Sequence, residues 1–173
     1  MKNTKRIALS GILAALSITL IYITAVTELF SYSGCLVAAL VILFVKTEYG
    51  LGTAVSVYGV VTVLSWLLLP DKSIAAIYTF IAGLYPLVKS YFDLLKNTIL
   101  RLVCKLLAYN AVLAALYFAA IALLAPEAEA PWMIAAMLVM ANAVFILADI
   151  LADRLILLYN VKYRAILRRR GIL

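Results

Sequence analysis

Residues that could do chemistry are few in this sequence, and their spacing rules out most enzymes. There is no histidine, so the commonest general base and the commonest metal ligand are both missing. The two cysteines, Cys35 and Cys104, stand too far apart for a metal motif or a disulfide framework and read as small residues tolerant of apolar surroundings. No Ser/His/Asp set, phosphate loop or paired-acid motif occurs. The reading is not an enzyme, with no cofactor and no metal. What remains is binding chemistry. Glu28, Phe30 and Tyr32 cluster with Thr24, Thr27 and Ser33, while Trp66 lies just ahead of Asp71 and Lys72. Aromatic faces beside a few aimed polar groups suit a small-solute site, with Glu28 accepting hydrogen bonds from the ligand. The same residues, with Trp132, also fit an aromatic belt at a membrane interface.

A second set of polar residues sits inside apolar runs. Asn142 lies about ten residues into its run, roughly 15 Å along a helix and close to mid-membrane. Asn110, Lys89, and the pair Asp149 and Asp153 one turn apart complete the set. Polar groups in lipid face a bundle interior or a cavity. Each asparagine reads either as an interhelical hydrogen bond or as a ligand contact, and the two aspartates as partners for Arg154, Lys89 or Arg101.

The elements that position these residues follow from composition. Of 173 residues, 68% are apolar and only 13% charged, too few to clothe a soluble globule in polar groups. Crossing the hydrocarbon core takes about 20 apolar residues. Six runs come close: 7–26, 29–45, 49–69, 73–88, 102–125 and 132–152. The expected fold is all-α, a polytopic membrane bundle of six transmembrane helices forming one transmembrane domain over 1–173. The second and fourth runs are short and need help from their neighbours.

Charge sets the expected orientation. With the N-terminus in the cytoplasm, 14 of the 15 basic residues fall on the inner side and only Lys72 on the outer. Both termini are then cytoplasmic, in a multi-pass protein of the cell membrane. The net charge of +7 is clustered between apolar runs rather than striped along a soluble face, which argues against nucleic acid as a partner. Between spans four and five, Lys89, Asp93, Asn97, Arg101 and Lys105 recur every four residues. That spacing predicts an amphipathic cytoplasmic helix or helix-turn, read either as a solvated connector or as a docking surface carrying Lys89 and Arg101. In the first span Ser10 and Ala14, and Gly11 and Ala15, stand four apart. Small residues at that spacing let helices approach closely, within the bundle or against another membrane protein.

The opening Lys5-Arg6-Ile7-Ala8-Leu9-Ser10-Gly11-Ile12-Leu13-Ala14-Ala15-Leu16-Ser17 resembles the start of S components, the substrate-binding membrane subunits of energy-coupling factor (ECF) transporters. Size, six spans, inner termini and a basic tail match that family in architecture. The resemblance implies uptake of a vitamin-like small molecule, captured outside and released inside as the subunit topples in the membrane. It implies a membrane coupling subunit docked on Ser10, Gly11, Ala14 and Ala15, and partner ATPases as the energy source. It implies a ligand site beneath the loop joining the first two spans, near Glu28, Phe30 and Tyr32; Trp66 and Asn142 are further substrate candidates on the residue readings above. A different class stays open beside it: a membrane scaffold subunit of the rod-shape or envelope-assembly type, with similar size and span number and no outer pocket.

Overall fold

A computed structural model describes residues 2–27, 32–124 and 131–163. All regular structure among them is helical. The chain divides into two compact units, Met1–Pro126 and Glu127–Leu173.

The first unit is built on three helices in chain order: α1 (Lys2–Val26), α2 (Ser33–Tyr49) and α3 (Leu51–Leu68). Each buries one face at helical spacing. On α1 that face is Ala14, Ser17, Ile18, Ile21 and Ala25; on α2 it is Gly34, Cys35, Ala38, Ile42 and Val45; on α3 it is Ala54, Val57, Val61 and Ser65. Small residues are frequent on all three, which lets the backbones come close where no hydrophobic drive from water exists. The opposite faces stay apolar: Ile12, Leu16 and Ile23 on α1 and Val60, Val63 and Leu67 on α3 are exposed. Gly50 alone connects α2 to α3, at φ +84, a left-handed conformation that glycine adopts without steric penalty.

The next span is composite. Asp71 caps α4 (Lys72–Ile77) by accepting from the Ser73 N–H at 2.8 Å, and Lys72 Nζ turns back to cap α3 through the Trp66 and Leu69 carbonyls at 2.8 and 2.9 Å. A wide π-helical turn, Tyr78–Ala82, then leads through Gly83 into α5 (Leu84–Asp93). Pro86 accounts for the widening. It has no N–H to give the Ala82 carbonyl four residues back, and its ring crowds that carbonyl. The ladder shifts, and Gly83 donates instead to Tyr78, five residues back, at 2.7 Å.

Asn97 starts α6 (Thr98–Leu124), its side chain accepting from the Ile99 N–H at 3.1 Å. The expected amphipathic cytoplasmic helix is therefore not a separate element. Its polar repeat is split between the last turns of α5 and the first turns of α6, because asparagine favours a cap over a helix interior. The second unit consists, in its described part, of α7 (Pro131–Leu158) and a wide turn Tyr159–Tyr163.

Among the described residues, five helical stretches are long and apolar enough to cross a membrane: Thr4–Val26, Leu51–Leu68, Lys72–Asp93, Thr98–Ala122 and Trp132–Lys162. The sequence reading put six. The helix that falls outside the five is α2, which has 17 residues. Several long apolar helices, with apolar exposed faces on α1 and α3, fit a multi-pass membrane protein.

Candidate functional site

Polar groups in the first unit gather at two places, one at the start of α3 and one along its middle and second half. At its start the groups are charged. The Arg6 guanidinium donates to the Thr53 hydroxyl, tying α1 to α3. Lys46 Nζ donates to the Pro86 and Leu87 carbonyls at 2.8 and 2.7 Å, tying α2 to α5. Lys105 Nζ lies 2.8 Å from the Asp93 carboxylate, tying α6 to α5. Lys89, only 2% exposed, holds its ammonium 5.6 Å from the centroid of the Tyr85 ring, within cation–π range. Apolar stems buried with charged heads partnered make this end a set of interhelical ties.

The second place is a seam between α3 and the α4–α5 span, running from Tyr58 to Trp66, about 8 to 20 Å further along α3 than Thr53. Tyr58, Thr62 and Trp66 stand four apart and so share one side of α3. Thr79 is the hub they meet. Its hydroxyl donates to the Ala75 carbonyl at 2.8 Å and accepts from Trp66 Nε1 at 3.1 Å, and its carbonyl accepts from the Tyr58 hydroxyl at 2.9 Å. The π-turn makes this possible, since the Gly83 N–H that an α-helix would give to Thr79 has gone to Tyr78. Gly83 also needs to be glycine here, because a Cβ would lie 2.8 Å from the Tyr58 ring. Tyr78 is fully buried beside Tyr58, ring centroids 6.4 Å apart and tilted by 34°. Cys35 closes the seam from α2, its buried thiol 3.9 Å from the Ile74 carbonyl.

Two hydroxyls at this level are left over. The Tyr78 hydroxyl and Thr62 Oγ1 are both buried with no hydrogen-bond partner. The contrast with their neighbours is direct. Ser17, Ser65 and Thr79 each give their hydroxyl proton to the carbonyl one turn earlier, at 2.9, 2.7 and 2.8 Å, as serine and threonine in apolar helices usually do.

Compared with protein-family profiles, with curated proteins and with solved structures, the chain matches none.

Of the residues singled out for substrate, Trp66 lies on the seam, 43% exposed and hydrogen-bonded to Thr79. Tyr32 is exposed just ahead of α2, its carbonyl accepting from Leu36 at 3.3 Å. Glu28 and Phe30 lie outside the described residues. Asn142 belongs to α7 in the second unit, where its amide donates to the Leu138 carbonyl at 2.8 Å; Asn110 on α6 does the same with Leu106 at 2.8 Å. Of the small residues on α1, Gly11 and Ala15 are exposed, Ser10 is half-buried and back-bonds to Arg6 at 2.8 Å, and Ala14 faces the bundle core. Lys89 is in the interior and Arg101 is half-buried on α6. Cys35 and Cys104 are free thiols.

Sequence reasoning passed over Tyr58, Thr62, Tyr78, Thr79 and Lys46. A signal for the seam was present in the four-residue spacing of Tyr58, Thr62 and Trp66, which sets three hydrogen-bonding side chains on one side of an otherwise apolar helix. Nothing in sequence marked Thr79 as the hub, because that depends on the π-turn.

Proposed function

We propose that this chain is the substrate-binding subunit of an ECF-type uptake transporter for a vitamin-like micronutrient, working with a membrane coupling subunit and partner ATPases. In this reading it sits in the cell membrane with both termini in the cytoplasm, and α2 completes a sixth span with help from its neighbours. The basic end of the first unit then faces the cytoplasm and the seam lies toward the outside. The carrying observation is the seam itself. Trp66, Tyr58, Tyr78 and Thr79 place aromatic rings and neutral hydrogen-bonding groups together inside an apolar bundle, and Trp66 reaches its surface. That is the lining a small-molecule site needs. A scaffold subunit has no use for a polar seam at this depth, where each buried group must be satisfied at a cost. The opening of α1 supports the same reading, and the exposed pair Gly11 and Ala15 is the part of its small-residue face open to a coupling subunit.

Native mass spectrometry on the protein purified from cells tests the proposal. A retained small molecule, released on unfolding, is the expected result. A protein that carries none, and whose melting temperature is unmoved by a panel of vitamins, would overturn it.

A further inference from the structure

Two hydroxyls in the seam find no partner, where Tyr58, Trp66 and Thr79 do. Each hydroxyl offers one donor and two acceptor positions. Leaving them unmade in an apolar interior costs free energy that phenylalanine and valine at the same positions would avoid. From the Tyr78 hydroxyl and Thr62 Oγ1 we infer that the seam between α3 and the π-turn is a binding site for a small, neutral, planar heterocycle that hydrogen-bonds to both hydroxyls. The inference takes its biological sense from the uptake reading above, although binding is measured apart from it.

The chemistry of the lining selects the class. Cys35, Tyr58, Thr62, Trp66, Tyr78 and Thr79 carry no charge at neutral pH. A charged ligand would be stripped of water here with no counter-charge among these lining residues to meet it. Two hydroxyls accept and donate, so the ligand carries groups of both kinds, as an amide or a lactam does. Tyr58 and Trp66 give aromatic faces, which favour a flat ring over a puckered one. Entry is past Trp66. It is 43% exposed and is held to Thr79 by a single 3.1 Å hydrogen bond, so its release uncovers the Thr79 hydroxyl at the mouth of the seam. The π-turn suits this use, since a wide turn inserted in an α-helix frequently marks a functional position.

The test uses the full chain in lipid nanodiscs and isothermal titration calorimetry. Nicotinamide and uracil are the neutral probes, and nicotinate and orotate their anionic counterparts. Saturable binding of at least one neutral probe is expected, with its anionic counterpart at least tenfold weaker. Tyr78→Phe and Thr62→Val are each expected to weaken that binding by at least tenfold while melting no lower than wild type. Failure of both neutral probes to bind, equal binding of the anion, or affinity within twofold of wild type in both variants would each overturn the site; the last is what hydroxyls that hold only ordered water would give. Native mass spectrometry of wild type and the double variant separates this inference from the uptake reading. A cellular molecule retained equally by both keeps uptake and overturns the seam as its site. Hydroxyl-dependent probe binding, with nothing retained from cells and no response to vitamins, keeps the seam and overturns uptake.

Discussion

At the start of α3 the polar groups of the first unit are charged and each has a counterpart: Arg6 with Thr53, Lys46 with two carbonyls, Lys105 with Asp93, Lys89 with the Tyr85 ring. Further along it, from Tyr58 to Trp66, they are neutral, and two hydroxyls have none. The difference follows from what desolvation costs. An ion stripped of water and left alone costs several kcal/mol, so it is partnered or absent. A hydroxyl in the same position costs about 1–3 kcal/mol, little enough for a stable fold to carry. Pairing of the charged heads at the basic end marks a structural device, although Asp93 Oδ1 meets Lys105 as an ion pair with no hydrogen bond. Incomplete pairing at the seam marks a place where stability has been given up.

The largest effect is expected from attacking the basic end. Asp93→Asn removes the carboxylate from Lys105, which is only 2% exposed. The loss should be about 3 kcal/mol, toward the low end for a broken buried pair because Asp93 is itself 32% exposed. Adding Lys105→Met should recover most of that loss, since a buried pair replaced by apolar groups is often neutral. Thermal unfolding of the single and double variants in mixed micelles measures both. If Asp93→Asn melts with wild type, the ties at this end are surface ornament and the contrast between the ends fails.

A smaller loss is expected at the seam from Gly83→Ala. The added Cβ meets the Tyr58 ring at 2.8 Å and the Tyr78 carbonyl at 3.0 Å. Overpacking of this kind costs about 1–3 kcal/mol. In a Tyr58→Leu background the cost should shrink, because the ring is the softer of the two obstacles. Denaturation in a graded sodium dodecyl sulfate mixture, read by circular dichroism, gives the coupling between the two sites. Costs that simply add would mean that Gly83 and Tyr58 do not press on each other.

The two ends also differ in how far they could be read from sequence. Apolar runs and their charged stops announced the helices, because hydropathy alone decides which segments lipid will hold as helix. The polar repeat from Lys89 to Lys105 is visible too, as a helix or helix-turn, but the place where it breaks is not. Asn97 breaks it, and the capping strength of one asparagine is hard to weigh against four flanking residues that favour a helix. Trp66 was legible as a binding candidate because large aromatics near a span end stand out. Thr79 was not, for its role is set by the shifted ladder that Pro86 imposes from seven residues away. Tyr78 was hidden for the same reason: a tyrosine in an apolar run reads as interface belt until its burial is known. Ala14 shows the limit of spacing arguments. Ser10, Gly11, Ala14 and Ala15 look like one small patch in sequence, but at about 100° per residue Ala14 is turned about 60° from Gly11 and about 100° from Ala15, enough to face the core while those two face out.

The smallest effect sharpens the contrast most, because its sign is at stake rather than its size. Tyr58→Phe takes the donor from the Thr79 carbonyl, and should lower stability by about 1 kcal/mol, the usual worth of a side-chain hydrogen bond among membrane helices. Tyr78→Phe removes the same atom from a ring 6.4 Å away, yet should leave stability unchanged or raise it by up to about 1 kcal/mol, since the hydroxyl it deletes has no partner to lose. The two substitutions are chemically identical and alter neighbouring positions in one seam, so volume, propensity and expression cancel between them. Melting temperatures of the pair, measured without added ligand in the same detergent, decide the matter. A fall for Tyr58→Phe beside no fall for Tyr78→Phe locates the surrendered stability in the unpaired hydroxyl. An equal fall for both would mean that Tyr78 is as firmly bonded as its neighbour, and the seam would then be as complete as the basic end.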